Sequence, residues 1–140
     1  MTLTDTGPIV ALFDVGDAQH SRCVAVARDL PPGPLFTTWP CFTEAMYLLG
    51  KVGGYRYQET LWRFLTAGRL VLHDLSATEV DRCRVLMGKY RDAPMDLADA
   101  SLVAVAETKS LRRIFTLDRH FRIYRLPDGG SLEMVPDGIG

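Results

Sequence analysis

Hydrophobic positions along this chain fall into two patterns, short apolar runs and longer segments with helical spacing. The short runs predict strands at residues 2–5, 35–38, 69–73 and 114–116. Between them, apolar residues recur every three or four positions, which predicts helices beginning near Pro8 and covering residues 17–30, 39–53, 55–67, 76–90 and 96–109. Near the end, residues 121–126 and 131–135 flank a Pro-Asp-Gly-Gly turn and predict a hairpin.

This order of elements predicts the fold class. Strands alternate with helices and no internal repeat or linker interrupts them, so we expect one α/β domain with a mostly parallel central sheet flanked by helices. The domain should cover residues 1–136 and end in the C-terminal hairpin, with 137–140 as a frayed tail.

Composition supports a compact protein. The chain has 140 residues, of which 47% are hydrophobic, enough to bury a core without disulfides. No apolar run approaches the roughly 18 residues of a membrane span, and the N-terminus lacks the pattern of a signal peptide. We therefore expect no membrane association and a cytoplasmic location. The three widely spaced cysteines predict reduced, mostly buried thiols.

Charge is distributed unevenly, although the net charge is only −1. Between positions 109 and 125 the single acid, Asp118, stands among six basic residues: Lys109, Arg112, Arg113, Arg119, Arg122 and Arg125. A local basic stripe can follow a phosphate backbone even in a nearly neutral protein. Arg112, Arg113 and Arg119 are therefore candidate residues for binding a nucleic-acid backbone.

Acidic residues recur at the ends of predicted strands and the starts of predicted helices. Asp5 and Asp118 follow strands, and Asp99 and Glu44 lie early in helices. In a parallel α/β sheet, these positions gather at one edge. Four carboxylates this close repel by several kcal/mol at an effective dielectric of about 20, so we expect cations to neutralise them. Oxygen-only ligands indicate Mg²⁺ or Mn²⁺.

Each acid also has an ordinary structural explanation. Asp5 and Asp96 are good helix N-caps, and Glu44 complements a helix dipole. Asp96 and Asp99 are three residues apart and share one helix face. The combination of acids favours a metal site, in which one or two ions activate a water for phosphodiester hydrolysis.

The ordered acids carry a resemblance to a known family. The chain contains Asp5-Thr6 before an apolar helix, Glu44 in a later helix, Asp99-Ala100 with small residues following, and Thr116-x-Asp118-x-x-Phe121. Over nearly its whole length, this pattern resembles the PIN domain, and within it the small VapC-type toxins.

The resemblance implies a metal-dependent endoribonuclease in a toxin–antitoxin pair. Asp5, Glu44, Asp99 and Asp118 would be the catalytic metal ligands, with Thr116 as the supporting hydroxyl and Asp96 as an accessory acid. It also implies a homodimer and a cognate antitoxin whose C-terminal segment covers the acidic groove. Gly7-Pro8 departs from the Ser or Asn that many relatives carry, so no hydroxyl contribution is expected at position 7.

Two alternatives compete with this interpretation. A phosphoacceptor receiver domain needs paired acids after the first strand and a lysine after a late strand, and neither appears in order. A non-catalytic RNA- or protein-binding module with the same fold is the second. The presence of all four acids argues against it, and metal titration distinguishes the two.

Overall fold

A parallel five-stranded sheet forms the centre of the computed structural model, which describes residues 1–137. The strands are β1 (Thr2–Thr4), β2 (Leu35–Thr38), β3 (Leu70–His73), β4 (Arg113–Phe115) and β5 (Glu133–Val135). Their order is β3-β2-β1-β4-β5, and every neighbouring pair is parallel. The predicted α/β class is confirmed.

Helices cover both faces of the sheet. Over the described range they are α1 (Thr6–Phe13), α2 (His20–Asp29), α3 (Trp39–Gly53), α4 (Tyr55–Thr66), α5 (Ala77–Lys89), α6 (Leu97–Lys109) and a 3-10 helix (Arg119–Arg122). Local sequence explains several ends. Pro40 lies in the first turn of α3, where its missing N–H costs no hydrogen bond. Ser76 and Glu79 form the predicted capping box of α5.

Strand register sorts the core side chains onto two faces. Leu3 is paired with Phe36 on one side and Ile114 on the other, and this row packs in the cluster that also contains α5 and α6. The next positions, including Leu35 and Phe115, turn to the opposite face and pack with α1, α2, α3 and α4. The result is a helix–sheet–helix sandwich with its strands buried on both sides.

Helix α6 is the most deeply buried of the helices. Residues 98–106 are all buried, and four of these nine are alanines. Small side chains let a helix axis approach a sheet closely, as the sequence predicted. The first turn of α6 is therefore held firmly beside the ends of the central strands.

The C-terminal hairpin prediction is wrong. Within residues 121–126 the structure has the end of the 3-10 helix and irregular chain, with Phe121, Tyr124 and Leu126 buried. Strand β5 pairs in parallel with β4 instead, so the sheet is parallel throughout. Parallel pairing needs a long crossover, and the stretch between β4 and β5 supplies it.

Other sequence predictions can be compared with the structure directly. Cys23, Cys41 and Cys83 are free and buried, as expected. No helix in the described part of the chain combines the length and apolar character that crossing a membrane requires. Of the predicted frayed tail, residues 138–140 lie outside the described residues.

Candidate active site

Asp5 lies where β1 ends and α1 begins. Its backbone N–H donates to the Phe115 carbonyl at 2.9 Å, which extends the pairing of β1 with β4. Its Oδ1 accepts from the Thr6 N–H at 2.7 Å, so Asp5 caps α1. Capping uses one carboxylate oxygen and leaves Asp5 at the carboxyl edge of the sheet, where open α/β folds place ligands.

Asp99 and Asp96 occupy the first turn of α6. Asp96 is the N-cap, and its Oδ1 accepts from the Asp99 N–H at 2.8 Å. Asp99 itself is only 5% exposed, although it carries a carboxylate. The capping role considered for Asp96 is confirmed, and the helix directs Asp99 inward.

Asp118 follows β4 and caps the 3-10 helix. Its Oδ1 accepts from the His120 backbone N–H at 2.9 Å and lies 2.7 Å from Nδ1 of the His120 ring. This carboxylate is half-exposed, so it is the most accessible of the three aspartates.

The three aspartates converge. One ligand oxygen from each of Asp5, Asp99 and Asp118 lies within 4.8 Å of the other two. Glu44 is absent from this group among the described residues. It is exposed on α3 and lines the same cavity, of about 660 Å³, together with Asp96. The structure thus brings three of the four predicted acids into one cluster and places Glu44 elsewhere on the cavity wall.

Burial and mutual repulsion disturb the ionisation of this cluster. Burial raises the pKa of Asp5 to about 6, against the hydrogen bonds from Thr116 and Thr6. Burial also raises the pKa of Asp99 to about 8; the Tyr124 hydrogen bond opposes this, and the charges of the neighbouring aspartates add to it. At an effective dielectric of about 20, each ionised pair at this separation costs roughly 3 kcal/mol.

The pKa of Glu44 is raised as well. The first cause is the partial loss of solvent around its carboxylate, and the second is the charge of Asp96. The negative charge in the cavity therefore affects the ionisation of Glu44, although this residue lies outside the group of three aspartates.

Hydroxyl groups hold two of these carboxylates. The Thr116 Oγ1, which is fully buried, donates to Asp5 Oδ2 at 2.8 Å and accepts from the Asp118 N–H at 3.0 Å. The predicted supporting hydroxyl thus bridges two acids. Tyr124 donates its hydroxyl to Asp99 Oδ2 at 2.7 Å.

The structure corrects the placement of the basic residues. Arg112 forms an ion pair with Asp128, and Arg113 lies 4.0 Å from Glu133. Arg112 precedes β4 and Arg113 begins it, whereas Asp118 follows the end of this strand. The two arginines are therefore separated from the acids by the length of β4. They line other cavities, and only Arg119 of the three candidates lines the acidic one.

Two side chains at this site went unnoticed in the sequence. Tyr124 was assigned to a hairpin strand, and His120 was given no role. The available signal was their spacing, since Thr116, His120 and Tyr124 are four residues apart and every one of them contacts the acid cluster. This spacing has meaning only if the segment after Asp118 forms a 3-10 helix. Such a short helix has no apolar periodicity from which it could be predicted.

The donor set fits a hard divalent cation. Carboxylate oxygens are the ligands that Mg²⁺ and Mn²⁺ prefer, and the grouping of three within 4.8 Å allows shared coordination. The raised pKa values of Asp5 and Asp99 show that the cluster is poorly compensated by the protein alone. A bound cation would relieve both the burial and the repulsion.

Comparison with known proteins gives a consistent result. No protein-family model matches the chain. It is 29% identical to Ribonuclease VapC26 of Mycobacterium tuberculosis over 138 residues, which cover 96% of this chain and 99% of that protein.

Solved structures share the fold. The crystal structure of VapC20 of M. tuberculosis, a sarcin–ricin loop cleaving toxin, superimposes with a TM-score of 0.75 at 18% identity over 81% of this chain and 87% of that one. A toxin–antitoxin complex from Klebsiella pneumoniae gives a TM-score of 0.64 at 20% identity, over 86% and 90%.

The chain shares its fold with these solved toxin structures. It is similar to VapC proteins along almost its whole length, which confirms the resemblance inferred from the sequence.

Proposed function

We propose that this chain is a Mg²⁺- or Mn²⁺-dependent endoribonuclease, the toxin of a toxin–antitoxin pair. The observation that carries the proposal is the convergence of three buried or half-buried aspartates at the carboxyl edge of a parallel sheet. Its likeness to Ribonuclease VapC26 supports RNA as the substrate.

Asp5, Asp99 and Asp118 would hold the cation, with Glu44 reaching in from α3 and Asp96 as an accessory acid. A cation held there would neutralise the carboxylates and would supply Lewis-acid activation of water for hydrolysis of a phosphodiester bond. Thr116 donates to Oδ2 of Asp5 at 2.8 Å, and together with the Thr6 N–H on Oδ1 it fixes the orientation of this carboxylate.

Positioning of the phosphate falls to Arg119 in this proposal. It lines the acidic cavity, whereas Arg112 and Arg113 are engaged with acids at the other end of β4. A guanidinium beside the acids can bind a phosphate through two parallel hydrogen bonds. It would thereby bring the scissile bond to the cluster.

The proposed partner is a cognate antitoxin, supported by the fold shared with the Klebsiella toxin–antitoxin complex. An acidic cavity of about 660 Å³ suits a basic side chain from such a partner, which would displace the cation and block the site. A homodimer acting in the cytoplasm completes the proposal.

RNA cleavage by metal-stripped protein tests this function. We expect cleavage to require added Mn²⁺ or Mg²⁺ and to fall at least about 100-fold in Asp5→Asn and Asp99→Asn, because each loses an anionic ligand. Asp92→Asn is the matched control, since Asp92 is exposed and lies outside the cavity lining. Cleavage products resolved by sequencing would identify the RNA target.

Two results would contradict the proposal. The first is cleavage that persists at the parent rate in both cavity variants, which would indicate a contaminating nuclease or another site. The second is metal-independent cleavage by the parent in the presence of chelator.

A further inference from the structure

Tyr124 is a buried side chain whose polar group meets the acid cluster. The residue is 2% exposed, and its hydroxyl donates to Oδ2 of Asp99 at 2.7 Å. A buried hydroxyl needs a hydrogen-bond partner, and here the partner is a carboxylate rather than a backbone carbonyl. When Asp99 is ionised, this bond joins a neutral donor to a charged acceptor, which is among the stronger kinds of hydrogen bond in proteins.

Aromatic packing fixes the position of this hydroxyl. The Tyr124 ring lies between Phe121, at 5.2 Å, and Tyr90, at 5.1 Å, and both contacts are edge-to-face. Phe121 is fully buried, so the ring of Tyr124 has little freedom to move. Phe121 lies in the 3-10 helix that follows Asp118, and Tyr124 lies just after it, with its hydroxyl at Asp99 in the first turn of α6.

Asp99 depends on this contact for its orientation. Its backbone is held in the first turn of α6, but a carboxylate can still rotate about its side-chain bonds. Tyr124 occupies one of its two oxygens, which sets the plane of the group. Side chains that hydrogen-bond to metal ligands commonly act in this way, and losing one typically costs about 10–100-fold in metal affinity or activity.

We propose that Tyr124 is a positioning residue for Asp99, which holds one carboxylate oxygen so that the other faces Asp5 and Asp118 for cation binding. This inference rests on the proposed metal-dependent function. With Tyr124 included, each of the three aspartates has a side-chain hydrogen-bond partner from the segment Thr116 to Tyr124.

The test compares Tyr124→Phe with Tyr90→Phe. Both substitutions remove one hydroxyl and keep the ring. The Tyr90 hydroxyl accepts from the Arg125 N–H at 2.8 Å and contacts no acid of the cluster, which makes it the matched control. Mn²⁺ affinity is measured by calorimetry on metal-stripped protein without RNA, so the readout does not depend on catalysis.

We expect Tyr124→Phe to weaken Mn²⁺ binding about 10–100-fold and Tyr90→Phe to change it by about twofold or less. At saturating Mn²⁺, Tyr124→Phe should lower kcat for RNA cleavage and leave KM unchanged. In an Asp99→Asn background, Tyr124→Phe should weaken Mn²⁺ binding no further, because the carboxylate that it positions is already gone.

Several outcomes overturn the inference. One is parent-like Mn²⁺ affinity in Tyr124→Phe, and another is equal weakening by both tyrosine variants, which would mean general loosening of the aromatic cluster. Further weakening in the Asp99→Asn background would show that Tyr124 acts elsewhere. If the parent binds no Mn²⁺, the proposed metal site itself fails, a result distinct from the other three.

Discussion

At the scale of single residues, the acid cluster is unfavourable for the metal-free protein. Asp99 is nearly buried beside two other aspartates, and Tyr124 donates a side-chain hydrogen bond to it. Folding raises its pKa from the ordinary 3.8 to about 8, first through burial. The folded protein therefore binds this proton more tightly than the unfolded chain does, and metal-free stability should rise as pH falls from about 9 towards 5.

Asp99→Asn should stabilise the metal-free protein. Asparagine keeps the shape of the protonated acid and can still accept from Tyr124, while the charge near Asp5 and Asp118 is removed. We expect a gain of about 1–2 kcal/mol at pH 9, or roughly 3–8 °C in Tm for a chain of this size. At pH 6 the gain should be smaller, since Asp99 is then protonated in the folded parent, but it should disappear only below the ordinary pKa of 3.8, where the unfolded chain is protonated as well.

Thermal unfolding followed by circular dichroism in the presence of chelator measures this effect. Asp92→Asn, an exposed change, should leave Tm unaltered at both pH values. A lower Tm for Asp99→Asn at pH 9 would show that the carboxylate stabilises the empty site, contrary to the repulsion argument.

At the scale of elements, the sequence predicted the order of helices and strands up to β4 because each has either clear periodicity or a strong cap. The exception is the segment after Asp118. Its apolar residues Phe121, Tyr124 and Leu126 lie in a short run that ends at a turn, as a strand would, but they are buried on a 3-10 helix and irregular chain. Strand β5 has three residues, too few to reveal whether it pairs with a neighbour in sequence or with β4.

The start of α5 shows how one buried acid organises several elements. Glu79 completes the capping box with Ser76, lies 2.7 Å from the His73 Nε2 of β3, and accepts from Thr108 of α6 at 2.5 Å. Burial alone would raise the pKa of Glu79, but the hydrogen bonds from Ser76, Thr108 and His73 outweigh it and lower the pKa to about 2. The charged carboxylate is therefore stabilised by folding.

Glu79→Gln should destabilise the protein by about 1–3 kcal/mol at pH 7, because charge-assisted hydrogen bonds are lost. The folded pKa lies below the ordinary 4.5, so the contribution of the parent glutamate is complete above about pH 4.5 and is lost as pH falls towards 2. Urea unfolding of the two proteins should show a stability difference that narrows between pH 5 and pH 3.

Asp81→Asn is the control on the same helix, since Asp81 is exposed and pairs only at the surface with Arg84. It should cost less than about 0.5 kcal/mol at either pH. A pH-independent difference between the parent and Glu79→Gln would attribute the loss to shape rather than to charge.

At the scale of the whole molecule, the sequence predicted that Asp5, Asp99 and Asp118 meet, but it placed Glu44 in the same cluster and misplaced the basic residues around it. Parallel topology alone brings Asp5, Asp99 and Asp118 to one edge, so their convergence followed from the order of elements. The position of the Glu44 side chain depends on how α3 is rotated about its axis, and the position of the basic residues before β4 depends on the direction of that strand. Neither the rotation nor the direction can be read from a pattern along the sequence. Arg112 and Arg113 therefore fell at the opposite edge, although they are close to Asp118 in sequence.

A cation that binds only the folded protein should stabilise it as a whole. Saturation with Mn²⁺ at about 100 times its dissociation constant adds roughly 2.7 kcal/mol to the free energy of unfolding, which corresponds to about 8–10 °C in Tm here. The shift should disappear with chelator and in Asp5→Asn, which removes a ligand, and should persist in Asp92→Asn.

The increase in Tm caused by Mn²⁺ should also be larger at pH 8 than at pH 6, because the cation competes with protons on Asp5 and Asp99, whose pKa values are raised to about 6 and about 8. If neither Mn²⁺ nor Mg²⁺ changes the Tm of the parent protein across this pH range, the result would instead support a binding module that keeps the fold without catalysis.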